Sequence, residues 1–166
     1  MKTVPRYSSR AFPPYRHLPG VTPHPERSPD GHTAGEPPWP EKLDAPGSRA
    51  YRELFLYGVD LFNHAYWWEA HAAWERLWKE APSDPNQAAF LKGLIQATAA
   101  LVKWRAGKRG GTARLGEKSL AKLGPLAAQG QSHYLGVNLS RFTAELARFL
   151  AGASSEPPLL WLEDSR

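Results

Sequence analysis

The segment Asn63-His64-Ala65-Tyr66-Trp67-Trp68-Glu69-Ala70-His71-Ala72-Ala73-Trp74-Glu75-Arg76-Leu77-Trp78 gathers four of the chain's seven tryptophans with two histidines and two carboxylates. His71 and Glu75 are four residues apart, a spacing that stacks two side chains on one helical face. Such a pair can ligate a metal, or act in acid/base chemistry with the carboxylate orienting the imidazole. At about 100° per residue, Trp67, Trp68, His71, Trp74, Glu75 and Trp78 fall on one side of the helix and Glu69, Arg76 and Glu80 on the other. The pattern therefore predicts an imidazole and an acid enclosed together in an aromatic stripe, where polar groups are costly unless partnered.

A divalent metal needs more ligands than this pair supplies, because zinc takes three or four. His64, one heptad earlier, is a third candidate, and His24 and His32 complete a shell if the N-terminal segment crosses this face. Neither the paired-histidine metalloprotease signature nor the glutamate-x-x-histidine pairing of di-iron bundles is present, and no cofactor is firmly implied. The plainer reading is a buried His71–Glu75 hydrogen-bonded pair that sets helix register, helped by Asn63 or Gln96. Lys92, Gln96 and Lys103 form the one polar line of the third helix. Should Gln96 turn toward His71 and Glu75, with Trp78 and Trp67 as walls, the result is a small polar pocket with a cationic rim, suited to an anionic small molecule. Glu69, in the first turn of its helix, is explained by the unsatisfied amides and dipole there. Asn63, at a helix corner, reads as a C-terminal cap.

Five helices must position these groups. Ser48 caps the first, which runs to about Phe62, and Gly58 within it predicts close approach of a neighbouring helix. The second runs from about Tyr66 to Glu80 after a tight Asn63–Ala65 corner, so the two are antiparallel neighbours. Asp84-Pro85 starts a third, apolar on nearly every side, that ends at Gly107. A fourth spans about Gly110 to Leu123 and is broken by Gly124-Pro125, and a loop follows from Gln129 to Val137. Asn138 caps the fifth, Leu139 to Leu150. No strand alternation is convincing. Residues 1–47 hold eleven of the sixteen prolines, yet Phe12, Tyr15, Leu18, Val21 and Trp39 are too apolar for a solvated linker. They predict an extended arm on a helical domain of residues 48–152, with Asp30-Gly31-His32 as a turn and residues 153–166 as a C-terminal tail docking on the bundle.

Cysteine is absent and no stretch approaches the roughly 20 apolar residues of a membrane span. With no signal-like start either, the cytoplasm is the expected compartment. Between Lys103 and Lys122 seven basic residues face one acid, which accounts for the whole net charge of +5. That patch reads first as a solvated helix face and only in third place as a nucleic-acid surface.

Leu61-Phe62-Asn63, Trp67-Trp68-Glu69-Ala70-His71, Trp74-Glu75-Arg76-Leu77-Trp78 and Phe90-Leu91-Lys92-Gly93-Leu94-Ile95-Gln96-Ala97 together resemble the domain-of-unknown-function 309 family, over about residues 50 to 125. The Pro-rich pieces Phe12–Tyr15 and Pro23–His32 are similar to an arm found in one bacterial branch. The resemblance implies an all-α, tetratricopeptide-like bundle of antiparallel hairpins with no established activity, and its polar positions fall on Asn63, Glu69, His71, Glu75 and Gln96. Ala65 stands where glycine is usual, Trp67 where tyrosine is common, and Ala72 where a second glutamate is expected. The leading expectation is a binding or scaffold module for a protein or peptide partner, built around a buried His–Glu centre. The alternative is a metal- or small-anion-binding protein, or a small hydrolase-like enzyme, using His71 and Glu75 with Asn63, Trp78 and Gln96.

Overall fold

Side-chain caps start three helices. Ser48 accepts the Tyr51 amide and opens α1 (Arg49–Asn63). Asp84 accepts the Asn86 amide and opens α3 (Pro85–Arg105), with Pro85 at its first position. Asn138 accepts the Arg141 amide and opens α5 (Leu139–Leu150). Each cap satisfies an amide that the helix cannot satisfy itself. Between them lie α2 (Trp67–Lys79) and α4 (Arg109–Ala128), neither with a side-chain cap. The computed structural model of the chain describes residues 3–34, 43, 47–80, 84–129 and 133–163. Trp39, counted above among the apolar residues of the arm, lies outside them.

The protein is an all-α bundle in which α1 packs on α2, α2 on α3, α3 on α4 and α4 on α5. Trp74, Phe55, Phe62, Phe90 and Phe142 are the largest fully buried side chains at its centre. Gly58 makes the first contact possible. A Cβ there would lie 2.2 Å from Nε1 of Trp74, and that indole donates to the Phe55 carbonyl at 3.3 Å. The corner between α1 and α2 holds Ala65 at φ +66, a left-handed conformation that glycine adopts more easily. Gly107, at φ +72, ends α3 as expected.

Two sequence expectations are corrected. α4 does not break at Gly124-Pro125 but runs through Pro125 to Ala128. Proline there removes one backbone bond, Gly124 before it has no Cβ to crowd the ring, and buried Leu126 anchors the extra turn. A short hairpin also exists, β1 (His133–Tyr134) antiparallel to β2 (Val137–Asn138). Leu135 and Gly136 at its tip both have positive φ, as a two-residue hairpin turn requires. The C-terminal segment lies beside β2 through an isolated Val137–Leu162 bridge, and Leu160 is fully buried.

Candidate functional site

Residues 3–34 form neither helix nor strand, so their backbone groups need partners elsewhere. Two buried carboxylates of the α1–α2 hairpin supply them. Asp60, fully buried in α1, accepts the Tyr7 amide at 2.7 Å, the Ser8 amide at 2.9 Å, the Ser8 hydroxyl at 2.6 Å and Arg6 Nε at 3.0 Å. In the first turn of α2, Glu69 is 5 % exposed. Its Oε1 accepts the His17 amide at 2.7 Å and contacts Nε2 of His32 at 3.0 Å. Between the two acids, the Tyr57 hydroxyl donates to the Ala11 carbonyl and Arg16 Nε donates to the His64 carbonyl. Phe12 stacks on Tyr66 with ring centroids 5.0 Å apart.

His32 reaches Glu69 because the arm folds back on itself. Ser28 and Thr33 donate to the carbonyls of His24 and Pro25, and the Thr33 hydroxyl donates to Pro25 as well. Gly31 sits so close to this loop that a Cβ would lie 2.1 Å from the Pro25 carbonyl oxygen. Tyr15 locks the fold-back by donating to the Pro23 carbonyl and accepting the His32 amide. Rings of His17 and His24 meet Trp68 edge-on, at 4.7 and 5.8 Å. Burial lowers the His17 pKa below the usual imidazole value, against the opposing pull of Glu69.

Under the arm lies a cavity of about 210 Å³, whose lining includes Arg10, Glu26, His32, Tyr57, Trp68 and Glu69. The second carboxylate oxygen of Glu69, Oε2, is buried without a hydrogen-bond partner among the described residues. A buried polar atom so placed is expensive unless something donates to it. Chemically, the arrangement is a carboxylate hydrogen-bond acceptor, oriented through its other oxygen and walled by an indole and a phenol.

The expected centre is elsewhere and more open. His71 Nε2 and Glu75 lie 3.8 Å apart, with side chains 35 % and 40 % exposed, so the enclosed pair predicted from the aromatic stripe does not form. The indoles of the stripe diverge: Trp67 and Trp78 meet Trp104 and Lys92 of α3, Trp74 turns to Phe55 and Phe62 of α1, and Trp68 turns to the arm. This leaves His71 and Glu75 partly open. His71 Nδ1 pairs instead with the Thr98 hydroxyl at 3.2 Å, and burial is the main cause of its lowered pKa, ahead of the opposing effect of Glu75. Glu75 also meets Lys79 at 3.6 Å.

The remaining candidates are placed as follows. Gln96 has its side-chain oxygen buried without a hydrogen-bond partner among the described residues, so no hydrogen bond joins it to His71. Trp78 carries the Lys92 ammonium on its ring face at 4.5 Å. Asn63 is the last residue of α1, and the cap is His64 instead. The Asn63 amide clamps the Leu160 backbone in both directions, each bond 2.8 Å long. His64 turns back to the Asp60 carbonyl and packs on Phe12. His24 and His32 do come to α2, but to its Trp68–Glu69 side rather than to His71. The five histidine and glutamate candidates therefore build no common metal shell, and among the described residues no three such side chains converge on one. Glu69, assigned above to the helix dipole, spends its hydrogen bonds on the arm. Of the basic patch, Arg105, Lys108, Arg109, Arg114 and Lys118 are exposed, and Arg105 also lies over the Trp67 ring and donates to the Ala65 carbonyl.

Asp60, His17, Tyr57 and Trp68 were not singled out by sequence as site residues. A signal existed for Asp60, a lone acid inside the apolar run Tyr57-Gly58-Val59-Asp60-Leu61-Phe62. Among the described residues no helix is long and apolar enough to cross a membrane.

Residues 55–115 match the model of a family described as a domain of unknown function, DUF309. The match contains Asp60, Glu69, His71 and Glu75 and excludes the arm. No curated protein matches the chain.

Proposed function

We propose that this member of the DUF309 family is a binding module that takes the hydrogen-bond-donating end of a small molecule, or of a partner's side chain, into the cleft between its arm and the α1–α2 hairpin. One observation carries this reading: Glu69 lines the cavity, and its buried Oε2 has no donor among the described residues. Its twin oxygen is held by the His17 amide and His32, so the free lone pairs are oriented before anything arrives. The buried His–Glu centre of the binding reading is thus His32–Glu69, and the expected small-anion ligand is replaced by a donor.

Binding fits better than catalysis. A carboxylate–imidazole pair can move protons, but the two hydroxyls lining the cavity already donate to carbonyls, Tyr57 to Ala11 and Thr33 to Pro25. Neither is poised as a nucleophile. The succession of short-connected helices supports the tetratricopeptide-like part of the proposal, and the lack of cysteine supports a cytoplasmic setting.

The test is a thermal-shift screen of small alcohols, amides and amines against wild type and Glu69→Gln. Compounds that raise the melting temperature of the wild type and not of the variant support the proposal. An identical response of both proteins to every compound overturns it.

A further inference from the structure

We infer that the group accepted by the Glu69 cleft is a single positive charge on a short apolar stem, a primary ammonium or a guanidinium. This deepens the binding reading above and rests on it. Oε2 of Glu69 can be satisfied by any donor, but only a cationic donor also adds a positive charge to a buried carboxylate whose other oxygen is held by the His17 amide and the His32 ring. An ammonium does both at once, and charge-assisted hydrogen bonds are about twice as strong as neutral ones. The charged side chains lining the cavity agree: two acids, Glu69 and Glu26, against Arg10, with the His32 ring beside Glu69.

The walls point the same way. Trp68 lines the cavity, and aromatic faces attract cations. The arm already uses this chemistry around the site, with Arg6 over Phe12 at 4.0 Å, Arg10 over Tyr57 at 4.9 Å and Arg16 over Tyr66 at 4.6 Å. Size sets the stem. A cavity of about 210 Å³ is below the roughly 300–1,000 Å³ of pockets for drug-sized ligands, so it takes a few carbons and no more. A free alkylamine and a lysine or arginine side chain of a peptide meet these terms equally.

The full chain is titrated calorimetrically with n-butylammonium, its neutral isostere n-butanol, the anion butyrate, and the peptide Gly-Gly-Lys-Gly-Gly. The expected result is saturable binding of n-butylammonium or the lysine peptide, at least about tenfold tighter than butanol or butyrate, a gap of about 1.4 kcal/mol. Tighter binding of the peptide than of the free amine identifies a partner side chain, and the reverse a small molecule. Glu69→Gln, which keeps an acceptor for His17 and His32, is expected to abolish the preference for the cation. Glu26→Gln, at an exposed position, is expected to weaken it a few-fold. Equal or tighter binding of butanol or butyrate, lost in Glu69→Gln, overturns the cation inference and leaves the cleft as a binding site. Absence of binding by all four probes overturns the cation inference, and with a flat thermal-shift screen it overturns the binding reading too.

Discussion

The imidazole of His32 lies 3.0 Å from the carboxylate of Glu69, across 37 residues of sequence, and both side chains are about 95 % buried. The contact joins a strap of irregular chain to the first turn of α2. With it comes the cavity, because the same fold-back that delivers His32 also builds the wall from Pro25 to Thr33. Glu69→Ala removes the acceptor of two N–H donors at once, and is expected to cost about 2–4 kcal/mol. Glu69→Gln is expected to cost less than half of that. Denaturant titration gives both values, and limited proteolysis should cut the arm of the alanine variant first.

Asp60 is the stronger anchor, with four donors on a fully buried carboxylate. Asp60→Ala leaves the Tyr7 and Ser8 amides and the Arg6 guanidinium without their acceptor. A loss of about 3 kcal/mol or more is expected. Deleting residues 1–40 is expected to lower the melting temperature at least as much, since these bonds and those to Glu69 are lost together. An unchanged melting temperature on deletion would mean that the arm contributes nothing to the fold.

Gly58→Ala places a methyl group 2.2 Å from Nε1 of Trp74. Neither helix can withdraw without disturbing the Trp74–Phe55 hydrogen bond, so overpacking of about 1–3 kcal/mol is expected. The double variant Gly58→Ala with Trp74→Phe, measured as a cycle against each single change, should show strong non-additivity.

His71→Ala is expected to be mild. The pair with Glu75 is long and partly open, and exposed ion pairs contribute about 1 kcal/mol or less. Glu75 keeps Lys79 as a neighbour. A loss several times larger in a denaturation series would restore the enclosed His71–Glu75 centre.

Stability should fall on acidification. Burial lowers the folded pKa values of His17 and His71 below 6.5. In the window between folded and unfolded pKa values the unfolded chain binds more protons, so stability rises with pH there. The contribution is complete above about pH 6.5 and is lost as pH falls through the lowered values. Melting temperature from about pH 7.5 to 5.5 is the measurement, and His71→Gln should flatten its slope.

Local chemistry decided the helices before any packing was known. Ser48, Asp84 and Asn138 each hold a helix start by hydrogen bonds within three residues, and the left-handed Gly107 needs no distant partner to end α3. Gly58 announced a close approach because a glycine inside an apolar helix has few other uses. α4 outran its predicted end because the cost of Pro125 is small in a last turn whose Leu126 is buried, and burial is not a local property.

The identity of the site lay beyond such reasoning. A helical wheel of α2 correctly puts His71 and Glu75 on one face and Glu69 on another, but it cannot say which face is covered. Spacing alone favoured the face rich in indoles. The arm, bound by Asp60 and folded back at Gly31, covers the other one and turns an unremarkable first-turn glutamate into a buried acceptor. Periodicity along one helix determines which residues lie together. Only the path of a distant, irregular segment, held by bonds across 37 to 54 residues of chain, determines which of them lose contact with water.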